Sequence, residues 1–281
     1  MDSSNAIAPV WPMPGEAQAF QTTDKAKVIR TIEWFDDRVY KVLLPPDFDP
    51  KRWEFFWSVS TVLNIIAKPW LCSWYGDLGT ERARYRSKKA MDRGALIHNA
   101  IAEMVQFDDN GYGAPIDGTH FEQEDWLAIL NFATWYNNVK PKVIAHDFTL
   151  VSYQHKYAGT LDLLFNFDGG KIDDGTKTPL EIEAGTYVLD IKTGNPSDDH
   201  HLQTAAYANG VEENELDKPA GTMIFYTDAG TKSGYKLVVR NREEMQDDFN
   251  LFLAAKKLFE AKGNKLPELR ELPLGVQLSK Y

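Results

Sequence analysis

Residues 187–210 read YVLDIKTGNPSDDHHLQTAAYANG, an apolar run carrying two charges with a helix-like segment close behind it, at about 199–209. The run has the character of a buried strand, and strand followed by helix sets an α/β expectation for the chain. In a strand, side chains at i and i+2 point the same way, about 7 Å apart. Asp190 and Lys192 therefore share one face, while Leu189 and Ile191 share the other. Burying either charge unpaired is costly, so the stretch demands partners from elsewhere in the chain.

One partner lies in YAGTLD, residues 157–162, where a glycine-led turn precedes Asp162 in another strand candidate. If the two strands pair as a hairpin, Asp162 and Asp190 converge at one end of the sheet. Two carboxylates that close demand a cation, and a lysine alone has the wrong shape to satisfy both. The inference is one or two hard divalent ions, Mg²⁺ or Mn²⁺. A plainer reading makes both acids solvated strand-end residues and lets Lys192 snorkel to water; the joint arrangement of the three favours the metal. His98 sits mid-helix in RGALIHNAIAEM. A lone helical histidine is more often a bonded core residue than a ligand, although imidazole suits Mn²⁺. Gln203 and Tyr207 are i and i+4, neighbours on one helix face, and alone would be ordinary rim residues. His200 and His201 read as surface or helix-start residues.

Working outward, period-two patterns mark strands at 142–153 (KVIAHDFTLVSY), 157–167 (YAGTLDLLFNF) and 186–193 (TYVLDIKT), with a hairpin from Asp168 to Gly185 between the last two. Further strands are expected at 221–227 and 235–240, and a strand pair from Val28 to Leu44, ended by Pro45-Pro46. Helices are expected over 81–106, 121–139 and 241–262, with a short, deeply packed helix capped by Ser60 or Thr61 and interrupted by Pro69. Together these give a mixed central β-sheet flanked by helices on both faces. Residues 1–27, rich in Pro, Ala, Ser and Gln, read as a loosely ordered arm, leaving 28–281 as one domain.

The 281 residues are 43% hydrophobic, enough for a proper core. With 31 basic and 41 acidic residues the net charge is -10, so the overall field repels polyanions, and a nucleic acid would need a local basic track or bound cations. The single cysteine, Cys72, excludes an internal disulfide and a cysteine-ligated zinc site, and implies a reducing compartment. The N-terminal residues lack the basic and apolar regions of a signal peptide, and no stretch is apolar enough to span a bilayer, so the expectation is a cytoplasmic protein with no membrane partner.

Taken together and in order, GALIHNAI (His98), YAGTLD (Asp162), LDIKTG (Asp190, Lys192) and LQTAAY (Gln203, Tyr207) resemble the RecB-like branch of the PD-(D/E)XK nucleases. The resemblance covers about residues 55–262. It implies an α/β fold with a restriction-endonuclease-like core and a metal-dependent deoxyribonuclease. Asp162, Asp190 and His98 would be metal ligands, and the Ile191 carbonyl would complete the set. Lys192 would orient or deprotonate the attacking water, and Gln203 and Tyr207 would hold Lys192 and the DNA strand beside it. Asp147 stands where relatives often carry a glutamate, in a role behind the direct ligands. An iron–sulfur cluster held by four cysteines, which some relatives have, is excluded by the lone Cys72.

Six basic residues, Arg82, Arg84, Arg86, Lys88, Lys89 and Arg93, precede His98 on one predicted helix. Such a run is usually a solvated face, and alternatively a local phosphate track into the site. Trp70, Trp74, Tyr75 and Tyr85 could stack on bases, with core packing the commoner use. The resemblance implies an exonuclease acting on single-stranded or end-containing DNA beside replication, recombination or repair proteins, with the character of a phage or bacterial product that would work in the host cytoplasm if phage-encoded. The alternatives are a structure- or sequence-directed endonuclease on the same fold, or a non-catalytic DNA-binding protein.

Overall fold

The computed structural model describes residues 29–34, 37–43, 53–109, 116–176, 178–227 and 230–266; the expected N-terminal arm lies outside them. Among the described residues no helix is long and apolar enough to cross a membrane.

In chain order the strands are β1 (Ile29–Trp34), β2 (Asp37–Leu43), β3 (Trp53–Ser58), β4 (Lys142–Ser152), β5 (Tyr157–Phe167), β6 (Gly170–Ile172), β7 (Leu180–Ile182), β8 (Gly185–Lys192), β9 (Pro219–Tyr226) and β10 (Lys236–Asn241). The helices are α1 (Val59–Leu63), α2 (Pro69–Leu78), α3 (Thr80–Asp109), α4 (Gln123–Val139), α5 (Asp199–Glu213) and α6 (Arg242–Ala261). Eight strands form a mixed sheet in the order β1-β2-β3-β5-β8-β9-β10, with β4 also on β5, while β6 and β7 pair separately.

Alternation along the strands divides the core. Val188 packs with Leu161, Leu164 and residues of α1, α5 and α6 on one face. Tyr187, Leu189 and Ile191 pack with Leu163, Phe165 and residues of α3 and α4 on the other. Helices thus cover both faces, and β8, wholly buried between its ends, reads as an almost continuous apolar run for that reason.

Several sequence readings need correcting. The aromatic run at 53–58, just before the short helix and without an expected element of its own, is a strand, β3, held by β2 and β5. The cap of the short helix is Ser58, which accepts from the Thr61 backbone, rather than Ser60 or Thr61. Pro69 does not interrupt that helix but opens the next, at a position where a missing N–H costs nothing. Gly159 stands inside β5, not in a turn. A Cβ there would lie 2.4 Å from the Tyr207 ring, so glycine is what lets α5 come down onto the strand.

The feature that positions the site is a fork in the sheet. β4 runs antiparallel along one edge of β5 from Tyr157 to Asn166. The other edge is shared: β3 meets it, parallel, at Tyr157 and Ala158, and β8 meets it, antiparallel, from Leu163 to Phe167. Residues 159–162 lie between the two, with no described strand against that edge.

Candidate active site

Asp162 occupies the mouth of this fork. Leu161 packs toward α5 and α6, and Leu163 toward α3 and α4, so the strand swivels at the residue between them. Across the hairpin the ladder passes from Phe148↔Leu161 to His146↔Leu163, leaving Asp147 and Asp162 without ladder partners. Asp147 has φ of 44°, a left-handed conformation that aspartate tolerates better than most residues. The β5–β8 ladder stops at Leu163↔Leu189, and beyond it the Ile191 N–H donates to Asp162 Oδ2 at 2.6 Å. The carboxylate takes the place of a strand carbonyl, which fixes it beside β8.

Asp190 and Lys192 project from β8 toward α5. Asp190 is 2% exposed, and Lys192 Nζ lies 2.6 Å from its Oδ2. Lys192 Nζ also donates to Gln203 Oε1 at 3.1 Å; Gln203 Nε2 in turn donates to Tyr207 Oη at 2.9 Å and reaches Asp190 Oδ1 at 3.4 Å. Gln203 therefore ties lysine, acid and helix together. Tyr207 is buried at 5% and acts on this network from behind Gln203, with no surface to offer a DNA strand. From the opposite side of the sheet α3 brings His98, whose Nδ1 is 3.4 Å from Asp162 Oδ1. Both acids lie near the end of the β5–β8 ladder, Asp190 buried and Asp162 half-buried, and each has charged or hydrogen-bonding partners, so neither is a solvated strand-end residue.

The electrostatics follow from this crowding. Burial opposes a charge on His98, yet the adjacent Asp162 overrides it and pushes the imidazole up to about 9. Burial would raise Asp162, but His98, Lys192 and the Ile191 N–H hold it below the ordinary carboxylate value. Burial raises Asp190 to about 6 against the pull of Lys192. Lys192 loses solvation too, and Asp190 and Asp162 more than compensate, so its ammonium is held above its ordinary value. At neutral pH the site holds two carboxylates, an ammonium and an imidazolium. Asp147, raised by burial and by Asp162, stands close behind.

A cavity of about 10 Å³ joins His98, His146, Asp147, Asp162 and Ile191, the scale of one water or one ion. The rest of its lining is apolar, from Ile101, Ala102, Val105, Phe132 and Leu163, and Asp190 stands outside it, with its buried Oδ2 in the ion pair to Lys192 but in no aligned hydrogen bond. Among the described residues, no three His, Cys, Asp or Glu side chains already converge on a single metal position.

Other sequence candidates fall less simply. His201 is buried, and His200 is half-buried with Nδ1 3.1 Å from Tyr226 Oη, so both are helix-start residues but not surface ones. Burial drives His200 down to about 4. Arg93 is half-buried and paired with Asp125 of α4, which removes it from any phosphate track. Arg84 and Lys88 have acidic neighbours on α3, Glu81 and Asp92, whereas Arg82, Arg86 and Lys89 are exposed and form no ion pair among the described residues. At about 100° per residue those three lie roughly opposite His98 around the helix, so the run does not lead straight into the site. Tyr85 is 71% exposed, and Trp74 and Tyr75 are half-buried against each other, so none joins the core. The Trp70 side chain lies outside the described residues.

Three residues that the sequence reading passed over belong to the surroundings of the site. His146 lines the small cavity with Nδ1 buried and unbonded. Tyr226, beside Lys192 in the β8–β9 register, holds His200. Lys68 pairs with Asp199 at 2.8 Å, joining the start of α2 to the start of α5. Only Tyr226 had a sequence signal, the period of two that puts it on the same face as Thr222 and Ile224. In comparisons with known proteins, no family model matches the chain and no curated protein matches it.

Proposed function

We propose that the chain is a divalent-metal-dependent deoxyribonuclease with a restriction-endonuclease-like core, acting as an exonuclease on single-stranded or end-containing DNA, beside replication, recombination or repair proteins. The observation that carries the reading is the meeting of Asp162, Asp190 and Lys192 at the fork, with Gln203 bridging lysine and acid. Nothing in the packing of a sheet requires three charged side chains there; hydrolysis of a phosphodiester uses each of them.

Asp162 and Asp190 would hold the cation, with His98 and the Ile191 carbonyl beside them. A bound Mg²⁺ or Mn²⁺ supplies a more acidic water and positive charge against the phosphoryl oxygens. Before a cation binds, the two carboxylates hold the Lys192 ammonium above its ordinary value. As an ammonium it would donate to a phosphoryl oxygen and offset the charge that develops there. Gln203 Oε1 accepts a hydrogen bond from Nζ and so orients the ammonium that Asp190 pairs with. Tyr207 receives the Gln203 amide and so fixes which way that amide faces.

The test is to incubate the protein with linear and covalently closed single-stranded DNA in Mg²⁺ or Mn²⁺. Release of nucleotides from the linear strand alone supports the exonuclease. Cutting of the circle moves the assignment to an endonuclease of the same chemistry. Binding without turnover in either cation removes the hydrolytic reading.

A further inference from the structure

On the other face of β8, at its opposite end, lies a groove of about 570 Å³ between β7, the ends of β9 and β10, and the first turn of α6. This is within the size range of ligand-binding clefts. Its floor is apolar, made by Leu180, Ile182, Tyr187, Ala220 and Val239. Its rim carries Glu181, Glu183 and Glu243, all exposed and none in an ion pair among the described residues. Arg242, the cation in the lining, is already committed to Glu212 at 2.8 Å and to the Pro219 carbonyl at 2.7 Å. The floor therefore meets an acidic border, with Lys171 opposite Glu181 across the β6–β7 register and no cation placed so against Glu183 or Glu243 in any described strand pair. β7 pairs only with β6 among the described residues, so no described strand lies against its other edge.

We propose that this groove docks an extended segment of a partner polypeptide in which apolar and basic residues alternate. Side chains of an added strand alternate between its two sides. The apolar ones enter the floor over Tyr187 and Val239, and the basic ones meet Glu181, Glu183 and Glu243. A nucleic acid is repelled by the same border, so the groove is a protein site. Tyr187 stands on the face of β8 opposite Asp190 and roughly 10 Å along the strand from it, so occupancy leaves the fork open. The inference is independent of the proposed nuclease activity.

The probes are two fluorescein-labelled heptapeptides, Lys-Val-Lys-Leu-Lys-Val-Lys and its counterpart with Glu at every Lys. Anisotropy is followed with the full chain and with the triple variant Glu181→Lys, Glu183→Lys, Glu243→Lys, whose circular dichroism confirms folding. The expected result is binding of the basic peptide only, weakened at least tenfold by the triple change. A photoreactive group at the central leucine should cross-link to the segment that includes Leu180, Ile182 or Tyr187. No binding, equal binding of the two peptides, or equal binding by the two proteins overturns the proposal. So does sedimentation showing self-association that the triple variant abolishes, which would give the groove to a second copy of the chain.

Discussion

Asp190 and Lys192 form a pair whose members are 2% and 20% exposed at the side chain. Losing one member leaves the other charge with no compensation. Lys192→Met should cost the metal-free protein about 3 kcal/mol in urea unfolding, while Mn²⁺ binding is retained or tightened because the site becomes more anionic. Weakened Mn²⁺ binding in that variant would argue that Lys192 holds the site's shape instead. His98 gives a pH signature. Its ordinary value is 6.5 and its value beside Asp162 is about 9, so the stabilising pair is complete below the lower value and is lost as pH rises through the upper one. Metal-free stability should fall between those limits by on the order of 2 kcal/mol, allowing for the partial exposure of the ring. His98→Asn should flatten that slope. If the imidazole ligates the cation, Mn²⁺ affinity measured by calorimetry should rise over the same interval, since the proton must leave first. These charges were legible in the sequence because strand alternation alone put Asp190 with Lys192. The exchange of Asp162 for a backbone acceptor was not, since it depends on where the β5–β8 ladder stops.

At the scale of elements, the approach of α5 to β5 sets the site. Gly159 is where the two touch, and Tyr207 rests where a Cβ would be. Gly159→Ala should push Tyr207 and with it Gln203, destabilising the protein by about 1 to 3 kcal/mol and lowering turnover more than substrate affinity. Unchanged kcat in a stably folded Gly159→Ala protein would show that the Gln203–Tyr207 link is dispensable. The long helices and the strands β4, β5, β8, β9 and β10 were readable because their periods persist over many residues. The run FFW in β3 was not. Three apolar aromatics suit a buried helix as well as a strand, and what decides between them is hydrogen bonding to β2 and β5, far away in sequence. The pair β6 and β7 was hidden for a related reason: strands of three residues are too short to show a period.

For the molecule as a whole, charge is distributed unevenly. An acidic chain of net charge -10 carries Arg82, Arg86 and Lys89, with no ion pair among the described residues, on the first half of α3. In that half only Ala83 is buried, so strands passing either side of the helix can reach these cations. Replacing all three by Glu should lower affinity for single-stranded DNA and reduce the slope of log K against log salt by about 0.7 for each phosphate no longer neutralised. An unchanged slope would make the run a solvated face. The sheet order could not be foreseen either. Alternation marks each strand but not its neighbours, so nothing in the residues shows that β3 and β8 share one edge of β5, and this sharing creates the fork where the candidate site sits. The decisive measurement is the rate of nucleotide release from end-labelled linear single-stranded DNA in Mn²⁺, for the unaltered chain, Asp190→Asn and Lys192→Ala, with and without EDTA. The expected result is release that EDTA abolishes and that each substitution lowers by at least about 100-fold. Release that persists in Lys192→Ala or in EDTA would contradict a metal-dependent site built on these residues.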